Sequence, residues 1–184
     1  LNGDFVEKVN VQVNRIHIEE EQSNHPLLLR GGSIIPVVSP DELPEVLNTA
    51  TLRKAPISLW ILPGYEKIST GSLFYDDGES IDTIEHGKYA LFEFTLDKCV
   101  INIHAKHQGL SDNDAEPLLL KEILISQGKV ALTGVRTDNI QAHFEGSNES
   151  IPTTVDDKNN IRIVFSTPVN MLQKFKEGKK IILS

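Results

Sequence analysis

Apolar and polar residues alternate with period two along much of this chain. In "KVNVQVN", Val9, Val11 and Val13 fall on one face, with Lys8, Asn10, Gln12 and Asn14 on the other. "RIHI" continues the pattern, and further runs follow at "LLLR", "SIIPVV", "SLWIL", "SLFY", "YALFEF", "CVINIHA", "LLKEILIS", "KVALTGV", "IQAHFE", "IRIVF" and "KKIIL". Most are separated by Gly, Pro, Asn, Asp or Ser clusters, which read as turns between strands. No stretch sustains the i, i+3, i+4, i+7 spacing of a long helix. Only Asp41–Leu47 and Val169–Phe175 leave room for a helical turn or two. Many short strands at this spacing predict an all-β protein built from two tandem antiparallel β-sandwiches.

"LLLR" and "SIIPVV" are apolar on both faces, so the sequence expects these strands to be covered on both sides. Before about residue 96 the chain carries Trp60, all three tyrosines and most of its Gly and Pro punctuation. After it, plainer alternation resumes with longer polar connections. The expected division is a proximal sandwich over residues 1–96 and a distal one over 97–184.

Composition narrows the classes of function. The formal net charge is −8, and an acidic surface repels phosphate, so nucleic acid is not an expected partner. No apolar run reaches the roughly 18 residues of a membrane helix. Cys99 is the only cysteine, which leaves no internal disulfide. It alternates with Ile101 and Ile103 and reads as a packed, inert thiol. The chain opens at Leu1 and its only methionine is Met171, so it is expected to be a piece of a longer protein.

The densest chemistry lies in "GSLFYDDGES", residues 71–80, where Asp76, Asp77 and Glu79 crowd around Gly78. Aspartates beside a glycine make turns, because their carboxylates accept from nearby backbone amides and glycine tolerates positive φ. A calcium loop wants alternating oxygen ligands with glycine sixth and glutamate twelfth; here Asp76 and Asp77 are adjacent and Gly78 follows at once. A glycosidase pair would need two carboxylates about 5–9 Å apart across a cleft, and one turn offers no opposing wall. A structural turn is the favoured reading.

His104 and His107 in "HAKH" would share a face on a helix, but on a regular strand they point oppositely, and no clustered cysteine or carboxylate completes a zinc set. No metal and no cofactor is expected. Arg30-Gly31-Gly32 lacks the further residues of a phosphate loop and reads as a bulge or sharp bend, with Arg30 paired to a carboxylate. No serine-hydrolase elbow occurs. Aromatic residues make up only 6% of the chain, a poor supply for sugar platforms. Trp60 reads as core and Tyr65 as an exposed ring. Asn148-Glu149-Ser150 is the one N-x-S/T acceptor sequon.

The ordered motifs resemble a known family. "LLLRGGSIIPV" at 27–37, a strand at "APISLWIL" and "GSLFYDDGESIDTIEHGKYALFEF" at 71–94 are similar to the C-terminal region of glycoside hydrolase family 31. In that family's α-glucosidases an R-G-G-x-I-x-P strand follows the catalytic barrel, and a G-x-L-F-x-D-D-G-E/Q-S segment comes later. The resemblance is specific over residues 27–94 and positional beyond about 97. It implies that the acidic segment belongs to a β-sandwich, while the catalytic aspartates lie on a (β/α)₈ barrel. No catalytic residue is therefore expected in this chain. Arg30, Gly31, Gly32, Asp76, Asp77 and Gly78 are structural motif residues, and Asn148 is a candidate glycosylation site. The implied partner is the barrel of the same parent chain, and the implied route is the secretory pathway. A free-standing carbohydrate-binding module, with an oligosaccharide as its ligand, is the alternative. A self-contained hydrolase using Asp76, Asp77 or Glu79 is the least favoured reading.

Overall fold

The structure, a computed structural model, describes residues 29–43, 45, 48–64, 68–111, 115–127, 132 and 140–184. The expected strands at "KVNVQVN" and "RIHI", all of "KVALTGV" but Leu132, and Tyr65 lie outside these residues. The strands are β1 (Ser33–Val38), β2 (Ile57–Leu62), β3 (Ile68–Tyr75), β4 (Ala90–Asp97), β5 (Val100–Gln108) and β6 (Leu119–Ile125), then β7 (Ala142–Phe144), β8 (Ser150–Ile151), β9 (Thr153–Val155), β10 (Ile161–Asn170) and β11 (Lys179–Leu183). The protein is all-β, as the alternation predicts.

Among the described residues, helix is confined to connections. A 3₁₀ turn at Pro40–Glu42 overlaps the start of the first of the two expected helical stretches, and α2 (Met171–Lys174) falls inside the second. A further short helix, α1 (Thr49–Leu52), was not expected. Its signal is a polar capping box. The Asn48 side chain accepts from Thr51 N at 2.9 Å, and Thr51 Oγ1 accepts from Asn48 N at 3.2 Å.

Hydrogen bonding joins the strands in the order β8-β7-β11-β5-β4-β3-β1-β2-β6-β10-β9. The pairings are antiparallel except β1 with β3 and β2 with β6, which are parallel. The wholly antiparallel expectation fails at these two places, because their connections return the chain in the same direction as the strand it joins. A twisted sheet of the eleven strands found among the described residues cannot stay flat, and this one turns back until its ends meet. Phe144 of β7 stacks on Phe165 of β10 with centroids 6.2 Å apart, and Val164 N donates to Pro152 O at 2.9 Å.

Period-two burial is cleanest in the central hairpin. Ala90, Phe92, Phe94 and Leu96 of β4 point inward with almost no exposure, as do Ile101 and Ile103 of β5. This hairpin spans residue 96 without a break in the ladder, and one contiguous core draws on residues from Ile34 to Leu183. β2 is buried on both faces, with Trp60 its one half-buried residue. β1, expected to be covered on both sides, buries only Ile34 fully, and its other residues are half-buried.

Candidate functional site

The acidic segment leaves the end of β3 and closes on itself. Asp77 Oδ1 accepts from the backbone amides of Glu79 and Ser80, each at 3.0 Å, and Asp77 Oδ2 accepts from Ser80 Oγ. Asp76 Oδ1 accepts from Gly78 N and from Arg53 Nη2, both at 2.9 Å, while Asp76 Oδ2 accepts from Thr83 Oγ1 at 3.2 Å. Arg53 Nη2 also donates to the Asp76 carbonyl. Gly78 sits at φ 77°, and a Cβ there would meet the Arg53 guanidinium at 2.9 Å. Glycine is thus required twice, for the backbone conformation and for the arginine that crosses over it.

Arg53 connects this turn to the rest of the fold. Its guanidinium lies 4.6 Å from the Tyr75 ring centroid, within cation–π range. Tyr75 OH donates to the Glu116 carbonyl at 2.7 Å, just ahead of β6. Burial holds the Tyr75 hydroxyl above its ordinary pKa, partly offset by the Arg53 charge. The segment after α1, the end of β3 and the approach to β6 are therefore tied at one point. Sequence reasoning missed Arg53, Thr83, Tyr75 and Glu116, since nothing local marks partners separated by 23 and 41 residues.

Hydrogen bonds from the Ser80 hydroxyl, the Ser80 amide and the Glu79 amide hold Asp77 at a pKa of about 2 against an ordinary 3.8. A folded pKa below the unfolded one contributes stability that is complete above the unfolded value and lost as pH falls through the folded one. The stability difference between wild type and Asp77→Asn is therefore expected to be largest above about pH 4 and to shrink towards pH 2. Urea midpoints of both proteins across this window check it. A difference independent of pH would mean that the carboxylate charge does not hold the turn.

The other candidates separate. Gly31 and Gly32 form a sharp turn, with Gly32 at φ 86°. Gly32 N donates to Leu62 O at 2.7 Å, and Gly32 O accepts from Thr70 N at 3.0 Å, so the turn brings β1 between β2 and β3. Arg30 is exposed, and the carboxylate partner expected for it is not among the described residues. His104 and His107 correct the expectation of opposite faces. A bulge in β5 sets His107 against Leu91 and Ala105 against Phe92, skipping Lys106, and the extra residue reverses the parity. Both histidines therefore pair with outward-facing residues of β4, yet their contacts diverge. The His107 ring stacks on Tyr89 with centroids 4.0 Å apart and its Nε2 lies 2.9 Å from Gly87 O, while His104 borders Gly178.

Cys99 stands in the turn before β5 rather than within the strand. It packs against the core, and burial raises its thiol pKa. Among the described residues no group of three or more His, Cys, Asp or Glu is placed to hold a metal ion. Asn148 is exposed in the loop between β7 and β8. Two shallow hollows open on the surface, one lined by Gln173, Lys174 and Lys179, the other by Thr95, Asn102 and Ile182; neither includes the acidic turn. The Asp76 and Asp77 carboxylates are both engaged in holding the turn, whereas acid–base catalysis on a glycoside asks for a pair of carboxylates facing the substrate.

No family model matches the chain. Human intestinal sucrase-isomaltase is 28% identical over 149 residues, 81% of this chain and 8% of that protein. The probable alpha/beta-glucosidase agdC of Aspergillus flavus is 31% identical over 150 residues, 79% of this chain and 15% of that protein. Among solved structures, Tris-bound glucosidase II alpha subunit superposes with a TM-score of 0.62 at 19% identity, over 86% of this chain and 17% of that one. The Flavobacterium johnsoniae GH31 dextranase FjDex31A in complex with glucose gives 0.55 at 18% identity, over 85% and 19%. The chain thus spans less than a fifth of each of these relatives. A free-standing carbohydrate-binding module is not favoured by matches of this kind. The chain is homologous to a small, β-rich part of large family 31 glycoside hydrolases.

Proposed function

We propose that this chain is a non-catalytic supporting region of a family 31 α-glucosidase-like parent, packed beside a (β/α)₈ barrel that lies elsewhere in the parent polypeptide. The observation that carries this reading is the asymmetry of coverage. About four-fifths of the chain aligns with human sucrase-isomaltase, yet it accounts for 8% of that protein. The relatives include an intestinal enzyme and a glucosidase II of the endoplasmic reticulum, and a secretory-pathway parent fits both. The acidic turn supports the same reading, because its carboxylates hold the fold together instead of facing a cleft.

The exposed apolar residues suggest where the parent packs. Ile81 is 95% exposed and Ile84 67% exposed, on the segment that follows the acidic turn, and Phe74 is exposed at the end of β3. Isoleucines left that open gain by meeting another apolar surface.

A blot of native extract with an antibody raised to this chain tests the proposal. A band several times longer than 184 residues is expected, and the isolated chain should not turn over a chromogenic α-glucoside. A native product of about this length would overturn the reading, as would turnover that disappears in Asp77→Ala.

A further inference from the structure

We infer that Asn148 is an acceptor for N-linked oligosaccharide when the chain passes through the secretory pathway. The inference rests on the secretory-pathway reading given above. Its triplet, Asn148-Glu149-Ser150, has no proline in the middle position and supplies the hydroxyl that such transfer requires. All three residues are exposed, at the hairpin joining β7 to β8.

The local geometry presents the asparagine outward. Ser147 N donates to Phe144 O at 2.9 Å, closing a tight turn, and Glu149 N donates to Ser147 Oγ at 3.1 Å. Those bonds engage the loop backbone and leave the Asn148 amide outside the turn's own hydrogen bonding. Gly146, two residues earlier, is at φ 77°, and a Cβ there would meet no atom within 4 Å, so the space beside the loop is open. The chain is anchored again immediately after the triplet, where Ile151 is buried and pairs with Ala142. A glycan at residue 148 would therefore project from a fixed hairpin at one end of the ladder without displacing core.

In the transfer, the Asn148 Nδ2 forms a bond to C1 of the reducing-end sugar of a lipid-pyrophosphate-linked oligosaccharide. The bond between C1 and the pyrophosphate oxygen breaks, the lipid pyrophosphate leaves, and one amide proton passes to a base of the transferase. No oxidation or reduction is involved.

The test expresses the full chain behind a cleavable secretory leader in mammalian cells, beside a reporter glycoprotein. A slower-migrating species that collapses on peptide-N-glycosidase F is expected, with release converting Asn148 to aspartate in the peptide mass spectrum. Asn148→Gln and Ser150→Ala should each abolish that species, whereas Ser150→Thr should retain it, which separates loss of the acceptor from loss of folding. A single glycosidase-insensitive species in cells that glycosylate the reporter would overturn the inference. A glycosidase-sensitive species persisting in Asn148→Gln would do the same.

Discussion

Phe92→Ala is expected to cost about 3–5 kcal/mol of unfolding free energy, read as a fall in urea midpoint at unchanged slope. Phe92 lies at the middle of the β4 inward face and is fully buried. It pairs with Leu73 on one side and with Ala105 on the other. Truncation would open a cavity among strands that cannot close over it, because β3 and β5 are both fixed in register to β4. A domain of this size has a total stability on the order of 5–15 kcal/mol, so the variant would sit near the threshold of folding. Glu93→Ala, one residue along, is the control. Glu93 faces outward in an exposed ion pair with Lys106 at 2.6 Å, and solvent screening leaves such pairs little net contribution to stability. If the two variants lose similar stability, the hairpin does not bury the face assigned to it.

That contrast was legible in "YALFEF" because period two is a local signal. The same holds for β5, where Cys99 lay in the expected run and fell just outside the strand. What could not be read is anything decided by non-local pairing. The two parallel pairings depend on which strands the returning chain meets, and alternation is blind to direction. The bulge that brings His104 and His107 to one side depends on how β5 matches β4, and the sequence "HAKH" carries no mark of it. β8 and β9 were missed because Pro152 interrupts two very short strands whose place is set by β7 and β10. The acidic turn was half legible. Its own hydrogen bonds follow from aspartate beside glycine, whereas Arg53 arrives from a helix end that only tertiary structure brings near.

Gly71→Ala is expected to lose about 3 kcal/mol, at the upper end of the usual cost of overpacking. Gly71 lies within β3, opposite Phe94 of β4. A Cβ at this position would fall 2.1 Å from the Ile34 carbonyl oxygen and 2.9 Å from Ile34 Cβ, on the neighbouring β1. The obstructing oxygen belongs to backbone, so no side-chain rotation can relieve the contact. β1 would have to move away from β3, taking with it the Gly32 turn and the Ser33–Thr70 register. The direction of the effect is diagnostic. Where space exists, glycine to alanine at a compatible φ stabilises a protein by about 0.4–1 kcal/mol through the unfolded chain, so a loss at Gly71 measures the approach of β1. Gly146→Ala separates this from conformational strain. Gly146 has φ 77° and open surroundings, so its variant should lose only about 1–2 kcal/mol of left-handed backbone energy. Equal or greater stability in Gly71→Ala would mean that β1 does not press against β3.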